Sequence, residues 1–164
     1  SGTVQDNIFF GQSEAADTDE TLQQALQLSQ AAEFVDRYPE KAAHPIAQLG
    51  RNVSGGQKQR LSIARALARR PEILIFDDSF SALAYKTDAT LREGLAKQLP
   101  GTTKIIVAQR ISTIRHADQI LVLDRGEIAG LGTHDALMAS CPVYREIAMS
   151  QLSEEELKKG GASK

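Results

Sequence analysis

Ile73-Leu74-Ile75-Phe76-Asp77-Asp78 is the stretch on which the architecture turns. An unbroken run of large apolar residues that ends in two carboxylates fits neither an amphipathic helix nor a half-solvated strand. It fits a strand buried inside a parallel sheet. Upstream of it the spacing is helical. Asp17 followed by Glu20 reads as a capped helix start, and Leu22, Ala25 and Leu26 recur at helical spacing to about Gln30. A second short helix is predicted over 31–38. Residues 39–53 gather Pro39, His44, Pro45, Gly50 and Asn52 and read as a loop. A longer helix is predicted from Ser54 to Arg70, where Pro71 stops it. Residues 1–13 are mixed, with a turn expected at Gly11-Gln12-Ser13.

Downstream the pattern alternates. Leu91, Leu95 and Leu99 mark a helix that Pro100-Gly101 ends, and Ile105-Ile106-Val107-Ala108 reads as a second buried strand. A short helix or turn is expected at 114–118. A third strand follows at 120–123, then a turn at Asp124-Arg125-Gly126 and a fourth strand at 127–131. Helices fit 133–140 and 142–149, and the acidic, glycine-ended segment 151–164 is expected to fray. A helical front half followed by alternating strands and helices predicts an α/β fold with a parallel sheet.

The 164 residues suffice for one domain with a real core, or one domain plus a small lobe. With 41% hydrophobic and 24% charged residues the composition is that of a globular protein. A formal net charge of -2 gives no basic field for nucleic acid, so none is expected as a partner. The single cysteine, Cys141, excludes an internal disulfide framework and fits a reducing compartment. No apolar run approaches the ~20 residues of a membrane helix, and Ser1-Gly2-Thr3 does not open a signal peptide. The expectation is a soluble intracellular chain that reaches a membrane only through a partner or another segment. His44, His116 and His134 are scattered without metal-ligand spacing and read as structural or solvated.

Three places could carry chemistry. In Val53-Ser54-Gly55-Gly56-Gln57-Lys58-Gln59-Arg60, Ser54 and Gln57 can form a capping box, and the glycines let backbone N–H groups at the positive end of a helix approach another molecule. Taken alone, the stretch equally fits a glycine-containing turn that starts a helix. Asp77 and Asp78 end a parallel strand, where ligands of open α/β sheets bind. One carboxylate there can hold Mg²⁺ through water, and a second can orient an attacking water. Gln109 follows the second strand. Its amide can hydrogen-bond but cannot carry a proton, and by itself it reads as a surface glutamine.

Together these pieces resemble the ABC ATPase family. Val53-Ser54-Gly55-Gly56-Gln57 resembles its signature motif, with Val in the usual Leu position, and Ile73 to Asp77 resembles its Walker B strand. Ser81-Ala82-Leu83-Ala84 resembles its D-loop, and Gln109 falls at its switch position. The segment Ser1 to Ile8, and Gly50-Arg51-Asn52 before the signature, resemble exporters in which membrane and ATPase domains share one chain. The resemblance implies a P-loop NTPase core with a helical subdomain, truncated at its N-terminus. Its parts would be a core segment at 1–13, a helical subdomain at 14–69, the C-terminal part of the core at 70–150 and a tail at 151–164. It further implies ATP and Mg²⁺ as cofactors, with Asp77 toward the metal and Asp78 and Gln109 in catalysis. Ser54, Gly55, Gly56, Gln57 and Ala84 would face nucleotide. The implied partners are a second ATPase half and a fused or associated transmembrane domain, at the cytoplasmic face of the cell membrane.

Four departures qualify the resemblance. No Gly-x-x-x-x-Gly-Lys-Ser/Thr occurs, so the Walker A loop, the adenine-stacking segment and the Q-loop glutamine are missing, and the chain by itself is expected to be inactive. The catalytic Glu is Asp78, the switch His is Gln109 and the D-loop Asp is Ala84. These changes suggest the degenerate half of a heterodimer. The rival readings are a soluble ABC ATPase acting on nucleic acid or ribosomes, and a module used only for assembly.

Overall fold

The computed structural model describes residues 2–11 and 18–160. The chain divides into two compact units, Ser1–Val107 and Ala108–Lys164.

In the first unit, β1 (Gly2–Thr3) pairs antiparallel with β2 (Pro45–Ile46), and α1 (Val4–Ile8) follows directly. A reciprocal capping box starts α1: Asp6 accepts from the Thr3 N–H at 2.8 Å, and Thr3 Oγ1 accepts from the Asp6 N–H at 3.1 Å. The Thr3 backbone amide, and after it the Thr3 hydroxyl, hold the Asp6 carboxyl below the usual carboxylate range. The next helix, α2 (Asp19–Leu28), is capped by Thr18, whose hydroxyl accepts from the Thr21 N–H. Asp17, expected to start it, lies outside the described residues, as do Gln12 and Ser13 of the expected turn.

The helix foreseen at 31–38 is shorter, α3 (Ala32–Val35), because the chain tightens into i to i+3 bonds at Arg37 and Tyr38. The predicted loop 39–53 holds two 3₁₀ turns as well as β2. A two-residue strand has no periodicity to read, so the sequence did not disclose it.

The long helix α4 (Gly55–Ala68) buries Leu61, Ile63, Ala64, Leu67 and Ala68. They join Leu22, Ala25 and Leu26 of α2 and Val4 and Ile8 of α1 in one apolar core. Its basic residues reach back to the earlier elements. Arg60 donates to the Gln30 carbonyl at 2.9 Å and to Glu33 at 2.8 Å, over the Phe34 ring. Arg65 donates to the Asn7 carbonyl at 2.6 Å, and Arg69 to the Phe10 carbonyl at 2.8 Å.

After Pro71 the expected strand forms as β3 (Ile73–Asp77). It lies parallel to β4 (Thr103–Val107), with α5 (Tyr85–Gln98) as the crossover and Ile75 opposite Ile105. The expectation of burial on both faces holds on one face only. Leu74 and Phe76 are buried in the core, whereas Ile75 is 69% exposed and Val107 54% exposed. Within this unit, no described residue covers that second face.

In the second unit, α6 (Ile111–Ile114) lies slightly earlier than the turn expected at 114–118. β5 (Ile120–Asp124) and β6 (Glu127–Gly132) form an antiparallel hairpin. Both loop residues, Arg125 and Gly126, have positive φ (50° and 84°), the type I′ geometry that matches strand twist. Parallel pairing therefore belongs to β3–β4, and the third and fourth predicted strands pair with each other. Then come α7 (His134–Ser140), capped by Thr133, and α8 (Pro142–Gly160), which runs on through the first ten residues of the segment expected to fray. Ile120, Val122, Leu137, Cys141 and Tyr144 form this unit's core. A Cβ at Gly130 would stand 2.8 Å from Leu137 and 3.0 Å from the Cys141 sulfur, so β6 approaches α7 only because that residue is glycine.

Candidate functional site

Ser54 occupies the N-cap of α4 in extended conformation. Its hydroxyl accepts from the Gln57 N–H at 3.2 Å, while Gln57 Oε1 accepts from the Ser54 N–H at 2.8 Å. The Ser54 carbonyl takes the first helical bond, from Lys58. This arrangement satisfies the third amide of the helix and the cap's own, and leaves the amides of Gly55 and Gly56 without a partner among the described residues. They sit at the positive end of the helix dipole, a ready position for an anion.

The two glycines differ. Beyond its chain neighbours and its own helix backbone, no described atom lies within 4 Å of where a Gly55 Cβ would stand, so that face is open to an incoming group. A Cβ on Gly56 would stand 3.1 Å from the Ala82 carbonyl oxygen. Gly56 lets the helix start press against the turn after β3.

That turn carries the carboxylates. Asp77 closes β3 and Asp78 follows with φ of 48°, a left-handed conformation that Asp adopts more readily than most residues. The Asp78 N–H donates to the Val107 carbonyl at 3.2 Å, and its carbonyl accepts from Ser81 Oγ at 2.9 Å. Gln59 Nε2 stands 3.5 Å from the same carbonyl, at the far limit of a hydrogen bond, and ties α4 to the turn. Phe80 anchors the loop by packing on Phe76, ring centroids 5.0 Å apart. With backbone groups and Phe80 holding the loop, both carboxylates remain exposed.

Among the described residues no group of three or more His, Cys, Asp or Glu could hold a metal ion. Two exposed hard oxygen donors do fit Mg²⁺, which keeps several waters and takes its other ligands from a phosphate chain. The open Gly55 amide at a helix N-terminus fits the phosphate chain itself.

Ala84 is the N-cap of α5 and has no side-chain acceptor for the helix amides. Beyond it, buried Asp88 accepts from Arg92 Nε at 2.8 Å. Gln109 belongs to the second unit, where it is exposed on the segment leading into α6. Its backbone carbonyl accepts from Gln151 Nε2 at 2.6 Å. The structure thus gathers Ser54 to Gln57, Asp77, Asp78 and Ala84 in one unit, and Gln109 falls in the other. Sequence reasoning missed Gln59 and Gln151. Each acts across 19 or more positions, and only the fold puts it beside its partner.

Comparison with known proteins bears on the chain as a whole. The ABC transporter family model matches residues 2–81. An uncharacterized ABC transporter ATP-binding protein of Mycobacterium tuberculosis is 46% identical, over 92% of this chain and 26% of its own length. A multidrug resistance ABC transporter ATP-binding and permease protein of Lactococcus lactis is 38% identical, over 93% of this chain and 26% of its own. The solved structure of a bacterial Atm1-family ABC exporter with ATP bound superposes with a TM-score of 0.86 at 34% identity, over 92% of this chain and 26% of that one. The chain spans about a quarter of the length of the curated relatives it matches. Its α/β architecture accords with these matches, and the chain belongs to the ABC transporter family, as part of the ATP-binding domain.

Proposed function

We propose that the full protein is an ABC exporter that couples ATP binding and hydrolysis to transport, and that this chain belongs to the degenerate half of a heterodimer. The observation that carries the reading is the capped N-terminus of α4, where Gly55 is bare and its amide has no partner among the described residues. A helix start built this way can close over a phosphate chain held by another subunit. Ser54, Gly55, Gly56 and Gln57 would therefore serve the partner half's nucleotide, and Asp77, Asp78 and Gln109 this half's own. Asp77 would hold Mg²⁺ through water, and Asp78 would orient the attacking water. Mg²⁺ would neutralise charge building on the phosphates.

Two features weaken this half's own site. Asp78 is one methylene shorter than a Glu, about 1.5 Å of reach, and misplacement on that scale can cost about 100-fold in rate. Gln109 cannot share charge as a histidine can. Both changes favour holding ATP over cleaving it. Ala84 has no carboxylate to offer across the dimer, which would alter coupling between the two sites. The likeness to an ATP-binding and permease protein supports a transmembrane domain as partner and the cytoplasmic face of the membrane as the location. The described residues contain no helix long and apolar enough to cross a membrane. A soluble ATPase working on nucleic acid is the second reading, and the net charge of -2 disfavours it.

The test is ATPase turnover by the reconstituted full-length transporter. Asp78→Glu combined with Gln109→His should change it modestly, whereas Ser54→Ala should nearly abolish it. Intact turnover in Ser54→Ala, or a working homodimer, would sink the assignment.

A further inference from the structure

We propose that Gln151, on α8, is the positioning residue for the Gln109 segment, holding Gln109 ready to contact the terminal phosphate of bound nucleotide. The inference rests on the reading above that Gln109 belongs to this half's nucleotide site.

Helix α6 is only four residues long, and its N-cap, Arg110, gives no side-chain hydrogen bond to the helix amides. The first amide, on Ile111, is therefore an orphan donor. Two positions earlier the Gln109 carbonyl is a backbone acceptor in irregular structure. Gln151 satisfies both with one amide: Oε1 accepts from the Ile111 N–H at 2.8 Å, and Nε2 donates to the Gln109 carbonyl at 2.6 Å. A primary amide donates from its nitrogen and accepts on its oxygen, as this pairing requires. Asparagine is a methylene too short to span the same groups from the same backbone. Both bonds lie inside the second unit, 40 and 42 positions apart in sequence.

The consequence is a fixed path for the backbone on either side of Arg110. Gln109 itself remains an exposed residue on the clamped segment. A neutral amide can only hold phosphate oxygens by hydrogen bonding, so its value depends on being held in place. Releasing the clamp lets the segment sample other paths, and the contact weakens without any loss from the nucleotide-touching set.

The experiment measures release of a fluorescent non-hydrolysable ATP analogue from the full-length transporter, with substitutions only in this chain. Gln151→Ala should speed the corresponding release phase on the order of tenfold, since two hydrogen bonds vanish. Gln151→Glu keeps the acceptor for Ile111 but sets a carboxylate oxygen against the Gln109 carbonyl. It should leave the Ile111 amide protected from hydrogen exchange and still release fast. Gln109→Ala should also release fast, and adding Gln151→Ala to it should give no further increase, because the clamp then has nothing to position. Release at the parent rate in both Gln151 variants, with Gln109→Ala fast, overturns the clamp alone. Effects that multiply in the double variant also overturn it, because they indicate a general structural role. Parent-rate release in Gln109→Ala overturns the nucleotide role of Gln109 itself, and the clamp's purpose with it.

Discussion

Asp78 shows how one residue can carry two demands at once. Its φ of 48° is a backbone state that Asp and Asn tolerate and most side chains resist. Asp78→Asn should therefore keep the turn and its melting temperature while removing the carboxylate. A Tm drop of several degrees would show that the charge, and not the backbone, holds the loop. Ala84 offers the opposite case, an N-cap with no acceptor. Ala84→Asp should stabilise α5 by about 1 kcal/mol, read as a rise in Tm, and no rise would mean that the helix start is satisfied in another way. The motif residues were legible as a set because their order and spacing are local: Ser54 to Gln57 form the capping box foreseen, and Asp77 and Asp78 end the strand foreseen. The division of labour between Gly55 and Gly56 was not legible. It depends on the Ala82 carbonyl, which only folding brings to Gly56.

Among the elements, α4 was readable from its cap, its apolar spacing and Pro71. The ties that orient it were not, because Arg60, Arg65 and Arg69 end on backbone carbonyls of distant segments and leave no pattern in sequence. β3 was correct in place and pairing, yet one of its faces is open among the described residues. An apolar run reports affinity for a buried setting but says nothing about which neighbour supplies it. The first helix is set by the Thr3–Asp6 box, and this gives a pH prediction. The Asp6 carboxyl is lowered in the folded state, so its contribution is present above the usual carboxylate range and is lost as pH falls through its lowered value. Exchange protection of the Thr3 amide should fade only in that acid range, and Asp6→Asn should remove this pH dependence. Protection that already fades near neutral pH would contradict the box.

At the scale of the whole molecule, the motifs present and missing predict different behaviour for a piece and for the complete protein. A polypeptide of these 164 residues has the signature helix and the carboxylate turn but no Walker A lysine loop. It should show no micromolar binding of Mg-ATP by calorimetry, since one wall of a phosphate site does not cradle a triphosphate. The exposed Ile75, Ile105 and Val107 face should also make it self-associate in light scattering, and Ile75→Lys should reduce that. Micromolar binding would contradict the first expectation, and a monomer at high concentration the second. In the complete transporter proposed above, the bare start of α4 would close on nucleotide held by the partner half, and Gly55→Asp probes that closure. Beyond its chain neighbours and its own helix backbone, no described atom lies within 4 Å of the new Cβ, and an acidic residue in the first helical turn is stabilising by about 0.3–1 kcal/mol, but its charge would face the phosphates. The account predicts a Tm equal to or above the parent's together with near-complete loss of ATPase turnover. Parent-level turnover with the melting temperature preserved would contradict it.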